Sequence, residues 1–124
     1  MRRVIHTDEA PKAVGPYSQA VEIHGALYIS GQLPIHPQTG DMPRTIEEQT
    51  RQALENVGAI LKAAGYRFEE VVKSTVLLAD MKDFAAMNRI YAEYYESMLP
   101  ARVCYQVAAL PMGAKVEIET VAMK

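Results

Sequence analysis

One segment of the sequence, from Thr45 to Gly65, carries the signals of an amphipathic helix with a defined start and a defined end. Thr45 is followed three residues later by Glu48, which matches a capping box at a helix N-terminus. Gly65 stands where a left-handed residue ends a helix. Between them the apolar residues mostly recur at spacings of three and four: Ile46, Ala53, Leu54, Val57, Ile60, Leu61 and Ala64. We therefore predict a helix between Thr45 and Gly65.

The apolar patterns of the remaining segments predict about five strands. Residues 18–30 form two apolar stretches on either side of His24-Gly25, where the glycine supplies the positive φ of a tight hairpin turn. Further strands are predicted from β-branched or alternating apolar residues, at 4–5, 70–79, 102–108 and 116–123.

A second helix is predicted to begin near Asp80 or Asp83 and to end before Pro100. Its apolar positions are Phe84, Met87, Tyr91, Tyr94, Tyr95 and Met98. Two helices and about five strands indicate one α+β domain, residues 1–124, whose helices lie on one face of a mixed sheet. The other face is then uncovered and carries Met, Val and Leu side chains, so we expect the chain to form oligomers.

Charge and composition restrict the classes of function. The chain has 13 Lys and Arg against 15 Asp and Glu, a net charge of −2, whereas nucleic-acid binders usually have a basic excess.

Its apolar runs are too short to span a membrane, and no apolar core of a signal peptide follows Met1. Cys104 is the single cysteine, which excludes an internal disulfide and suits a reducing compartment. We expect a cytoplasmic protein.

The last two predicted strands contain the residues with the most evident chemistry. If Leu110–Gly113 is a turn, the two strands form an antiparallel hairpin, with Arg102 and Cys104 on the same side as Glu117 and Glu119. Arginine can bind the carboxylate of a small substrate through two hydrogen bonds, and a glutamate beside it can activate water. The same spacing also fits a cross-strand Arg–Glu ion pair that only stabilises the hairpin, and spacing alone favours that interpretation.

The other candidate residues have ordinary structural interpretations when taken alone. Cys104 has no histidine nearby in sequence to act as its base, so it is more typical of a small buried residue than of a nucleophile. Tyr17 is typical of a core or interface position, Asn88 of a solvent-facing one, and Gly31 of a turn. No phosphate-binding glycine motif occurs, and no metal-ligand spacing connects the histidines: His6, His24 and His36.

Short segments in one order and spacing extend over nearly the whole chain: Ala10-Pro11, Gly15-Pro16-Tyr17-Ser18-Gln19, Ser30-Gly31-Gln32, Gln52-Ala53-Leu54-Glu55-Asn56-Val57, Val72-Lys73-Ser74-Thr75-Val76, Asp83-Phe84, Asn88, Pro100-Ala101-Arg102 and Val116-Glu117-Ile118-Glu119. Together they resemble the Rid family (reactive intermediate deaminase, YjgF-type). The resemblance implies a chorismate-mutase-like α+β fold, a homotrimer with a barrel-like core, and active sites in the clefts between subunits.

The activity that the resemblance implies is that of a 2-iminobutanoate/2-iminopropanoate deaminase, without a metal or an organic cofactor. Such an enzyme hydrolyses the products of pyridoxal-phosphate-dependent dehydratases, 2-aminoacrylate and 2-iminopropanoate, to a 2-keto acid and ammonia. The resemblance assigns the substrate carboxylate to Arg102, water activation to Glu117, and contacts near the imine to Cys104. It places Tyr17 with these catalytic residues and assigns substrate binding, in part from a neighbouring subunit, to Ser30, Gly31 and Asn88.

Two features depart from the family pattern and affect the rim of the cleft. Val103 stands where the family often has Ser or Thr, and the segment before Pro100 is shorter than in many members. Two other functions stay open: an endoribonuclease or translation inhibitor, as some members are described, and a non-catalytic trimer that binds 2-keto acids or acts like a chaperone. The acidic balance and the lack of a histidine pair weigh against RNA cleavage.

Overall fold

The computed structural model describes residues 1–124, which form one six-stranded sheet with two α-helices. The helices are α1 (Ile46–Ala64) and α2 (Phe84–Tyr94). The strands are β1 (Arg3–Ile5), β2 (Ala20–Ile23), β3 (Ala26–Gln32), β4 (Val71–Leu78), β5 (Ala101–Gln106) and β6 (Val116–Met123). Both helices pack on the same face of the sheet, where one apolar core joins them to the strands. The predicted α+β class, with a mixed sheet and helices on one face, is confirmed.

The sheet order is β1-β2-β3-β6-β4-β5, and only the β4–β5 pair is parallel. The predicted hairpin of the last two strands is therefore wrong, because β4 lies between β5 and β6. A helical crossover through α2 carries the chain from the end of β4 to the start of β5, and such crossovers join parallel strands. The following loop then returns the chain to the centre of the sheet, where β6 pairs with both β3 and β4.

The ends of α1 are fixed as the sequence predicts. The side chain of Thr45 accepts a hydrogen bond from the amide of Glu48 at 3.1 Å. Gly65 adopts a left-handed conformation with φ 84°, and its amide bonds to the carbonyls of the last helical turn. The β2–β3 hairpin is confirmed as well, with His24 at φ 49° and Gly25 at φ 81°.

The second helix is shorter than predicted. It ends at Tyr94, and Tyr95 leaves the helical conformation with φ −124° and ψ 60°. The ring of Tyr95 is buried in the core, while Met98, which the pattern assigned to the helix, is exposed. Burial of the Tyr95 ring therefore takes precedence over one further turn of helix.

The face of the sheet opposite the helices is uncovered in the single chain. Large apolar side chains on this face are about half exposed: Val4, Tyr28, Val103, Tyr105 and Met123. This agrees with the predicted bare face, and its burial between subunits stays a prediction. Neither α1 nor α2 combines the length and the hydropathy that a membrane span requires.

Candidate functional site

The seven candidate residues fall into two groups on opposite faces of the sheet. Arg102 and Cys104 lie beside Ser74 and Val76 of β4, which are fully buried beneath the helices. Glu117 pairs with Leu77, which follows Val76 directly in β4 and therefore faces the other way. The side chain of Glu117 accordingly points to the uncovered face. The expectation that Arg102 and Glu117 share a side within one chain is therefore wrong.

The first group is centred on Arg102 of β5, an edge strand of the sheet. Arg102 Nη1 donates a hydrogen bond to Asn88 Oδ1 at 2.7 Å. The guanidinium carbon lies 4.9 Å from the ring centre of Tyr91 and 5.6 Å from that of Phe84. Arg102 forms none of the ion pairs in the chain, so the alternative of a cross-strand Arg–Glu pair is also wrong. This cation is partly buried and has no counter-ion.

Cys104 lies two residues after Arg102, partly buried against the apolar core. Burial raises the pKa of the Cys104 thiol, and the positive charge of Arg102 opposes that shift only in part. A thiol with a raised pKa is protonated at neutral pH and is a poor nucleophile. The burial of Cys104 and its raised pKa therefore favour a contact role over covalent chemistry.

The second group lines a cleft of about 580 Å³ on the uncovered side. Tyr17, Ser30, Gly31 and Glu117 all border this cleft, and much of its remaining wall is apolar. Ser30 and Gly31 lie at an irregularity in the pairing of β3 with β6, which interrupts the regular ladder. The Ser30 hydroxyl donates to the carbonyl of Ser18 at 2.6 Å. The Tyr17 hydroxyl accepts from the amide of Val14 at 3.3 Å.

Glu117 rests directly against the backbone of Gly31. A Cβ atom added at Gly31 would overlap the Glu117 carboxylate, so any larger residue there requires the carboxylate to move. Burial raises the pKa of Glu117, and the charge of Glu119 raises it further. A carboxylate with a raised pKa is a stronger base than an exposed glutamate, which suits proton transfer near neutral pH.

The histidines do not join either group. All three have exposed side chains, and His6 faces Asp8 at 3.2 Å. No cluster of three or more His, Cys, Asp or Glu side chains is arranged to hold a metal ion.

Three residues near the two groups were not singled out as functional from the sequence. Gln19 is buried, and its amide nitrogen bonds to the carbonyls of Thr7 and Pro11 at 3.0 and 2.8 Å, fixing the loop that walls the cleft. Phe84 and Tyr91 were assigned only to the apolar face of a helix. The sequence did contain a sign that they lie near Asn88, because Phe84 precedes it by four residues and Tyr91 follows it by three. This spacing places all three on one face of α2.

Comparison with known proteins gives full-length matches. Residues 7–124 match the family described as "Endoribonuclease L-PSP". The mouse (Mus musculus) protein named 2-iminobutanoate/2-iminopropanoate deaminase is 54% identical over 125 residues, covering 100% of this chain and 93% of that protein. The structure of E. coli TdcF with bound serine has a TM-score of 0.96 at 42% identity, covering 98% of both chains. The E. coli YjgF structure has a TM-score of 0.96 at 41% identity, with the same coverage.

Replacing Gly31 with alanine tests the contact with Glu117. We expect the new methyl group to displace the Glu117 carboxylate towards solvent, which lowers its pKa towards the ordinary value of a glutamate. The measurement is a carboxyl-carbon NMR titration of Glu117 in both proteins. Gly40→Ala is the control for adding a methyl group elsewhere, because a Cβ atom at Gly40 meets no atom within 4 Å. An unchanged Glu117 titration in Gly31→Ala would show that the two groups are not in contact.

Proposed function

The chain belongs to the endoribonuclease L-PSP (Rid) family, and on that premise we propose that it is a 2-imino acid deaminase. It hydrolyses the C=N bond of 2-iminopropanoate and 2-iminobutanoate and releases a 2-keto acid and ammonia. The observation that carries the proposal is the guanidinium of Arg102, which is partly buried, held by Asn88 and free of any counter-ion. Such a cation suits the carboxylate of a small substrate.

We propose that each active site is shared between two subunits of a homotrimer. Arg102 and Glu117 point to opposite faces, so one chain cannot direct both at one substrate. Arg102 lies on an edge strand, where a neighbouring chain can approach it, and the apolar uncovered face supports association. One subunit then supplies Arg102, Cys104 and Asn88. The next supplies the residues of the cleft: Tyr17, Ser30, Gly31 and Glu117.

The proposed chemistry needs only positioning and proton transfer. Arg102 binds the substrate carboxylate through two parallel N–H groups and orients the imine carbon towards water. Glu117 takes a proton from that water as its oxygen attacks the carbon, and Glu117 then passes this proton to the imine nitrogen. The resulting carbinolamine transfers its hydroxyl proton to nitrogen and collapses, which breaks the C–N bond and releases ammonia. Each turnover consumes one water, and Glu117 returns to its starting charge.

The apolar wall of the cleft supports a compact substrate with an apolar side chain. Imines of this kind form when pyridoxal-phosphate-dependent dehydratases release their enamine products, so such enzymes are the proposed source. The serine bound by E. coli TdcF shows that this related protein accepts a small molecule with an α-carboxylate. The same group would contact Arg102 here.

RNA cleavage finds no support in the residues of either group. The histidines lie apart on the surface, and the chain has no basic excess. A non-catalytic 2-keto acid binder would share the Arg102 contact but would not turn over an imine, so turnover separates the two functions.

Removing the Arg102 guanidinium tests the proposed function. In a reaction with threonine dehydratase, the wild-type protein should accelerate the appearance of 2-oxobutanoate. Arg102→Ala should lower kcat/KM by about a hundredfold or more, because a buried charged contact to the substrate is lost. The exposed Arg44→Ala is the control. If the wild-type protein produces no acceleration, the deaminase proposal is wrong.

The pH dependence tests the role of Glu117 as a base. The carboxylate is the active form, so kcat/KM should fall as the pH drops through its pKa, which lies above that of an ordinary glutamate. Glu117→Gln should lose this acidic limb together with about a hundredfold or more of the rate. Glu119→Gln is the matched control. It should keep the activity and move the acidic limb of the pH profile to lower pH, because removing the charge of Glu119 lowers the pKa of Glu117. An acidic limb retained in Glu117→Gln would exclude this role.

Mixing two inactive variants tests the shared site. Arg102→Ala and Glu117→Gln chains, unfolded and refolded together in equal amounts, should regain activity. A random mixture pairs an intact Arg102 with an intact Glu117 in about a quarter of the intersubunit sites of a cyclic oligomer. Each variant refolded alone is the control. A mixture that stays as inactive as its components would show that both residues act within one chain.

A further inference from the structure

We infer that Tyr91 is a positioning residue for Arg102: its ring supports the guanidinium in the orientation that receives the substrate carboxylate. The inference rests on the proposed function of Arg102 and extends it to a residue behind the site. The guanidinium carbon lies 4.9 Å from the centre of the Tyr91 ring, within the range of a cation–π contact.

One face of α2 supplies the hydrogen bond and both cation–π contacts of the Arg102 guanidinium. Phe84, Asn88 and Tyr91 are spaced by four and three residues, so their side chains lie in a row along the helix. Asn88 accepts a hydrogen bond at 2.7 Å, and the Phe84 ring lies 5.6 Å from the guanidinium carbon. An amide and two rings therefore restrain the arginine from one side.

All of these supports are uncharged, and this matters for an anionic substrate. Burial raises the pKa of the Tyr91 hydroxyl, so the phenol stays neutral. A carboxylate in the same place would neutralise Arg102 and compete with the substrate. A neutral ring restrains the guanidinium through its electron-rich face and leaves the full positive charge for the ligand.

The ring, and not the hydroxyl, is the part of Tyr91 that contacts Arg102. The Tyr91 hydroxyl is buried next to the Ser74 hydroxyl and makes no hydrogen bond to Arg102, whose guanidinium donates to Asn88. Behind the Tyr91 ring, the Tyr95 ring packs at 4.6 Å, and the Phe68 ring packs edge-on against Tyr95 at 5.4 Å. This aromatic row fixes the support in place. Because arginine loses much rotamer freedom when it is ordered, restraining it before binding lowers the entropy cost of capturing the substrate.

The test separates ring from hydroxyl with Tyr91→Leu and Tyr91→Phe, measured for KM, kcat and the dissociation constant of 2-oxobutanoate. Tyr91→Leu should raise KM and the dissociation constant about tenfold. It should change kcat by less than about threefold, because the lost support affects bound substrate and transition state alike. Tyr91→Phe keeps the ring and should stay within about twofold of wild type in both constants.

Two further variants control for general damage to the core. Met87→Ala removes a fully buried side chain from the same helix that is not among the contacts of Arg102, and should leave KM near wild type. If Tyr91→Leu does not fold, Phe84→Leu removes the other, partly buried ring and should raise KM in the same direction.

The outcomes separate failure of this inference from failure of the proposed function. If the wild-type protein gives no turnover, the proposed function is wrong, and if Arg102→Ala leaves turnover unchanged, the proposed role of Arg102 is wrong, whatever Tyr91 does. If Arg102→Ala abolishes turnover while Tyr91→Leu resembles Met87→Ala, the inference is overturned. It is also overturned if Tyr91→Phe is as impaired as Tyr91→Leu, because the hydroxyl and not the ring would then be responsible.

Discussion

The pairing of β4 with β5 on one side and β6 on the other is the constraint on which the site depends. Side chains alternate between the two faces of a sheet, and paired residues point the same way. Arg102 is in phase with Ser74, whereas Glu117 is in phase with Leu77. Ser74 and Leu77 are an odd number of residues apart in β4, so the cation and the carboxylate lie on opposite faces of the sheet. A single chain therefore holds the two groups of candidate residues apart, and in the proposed function association of subunits brings them together.

Each of the two groups of candidate residues contains a charged side chain that is partly buried without a partner of opposite charge, which lowers the stability of the isolated chain. Arg102 is partly buried with no counter-ion, and Glu117 is partly desolvated beside Glu119. A protein selected only for stability would pair or expose such groups. Leaving them unpaired lowers stability but leaves both available to a ligand, a compromise that is common at functional sites.

The sequence predicted local structure well and strand pairing poorly. The caps at Thr45 and Gly65 and the turn at His24-Gly25 depend on neighbouring residues, so a short window is sufficient. Alternation also placed Arg102 and Cys104 correctly on one face of their strand. It could not show that β4 lies between the last two strands, because alternation fixes the faces of a strand and not its neighbours. Periodicity likewise identified Tyr91 as buried without showing that it contacts a cation.

The two groups of candidate residues also limit what kind of molecule can join them. In the proposed shared site, an isolated Arg102 and Glu117 that came too close would pair with each other and exclude a ligand. Asn88 and the aromatic rings hold Arg102 without neutralising it, and Gly31 gives Glu117 a place against the backbone of its own cleft. The ligand that satisfies both must present an anion to the guanidinium and an electrophilic carbon to the water beside the carboxylate. A short 2-imino acid has both groups on adjacent carbon atoms.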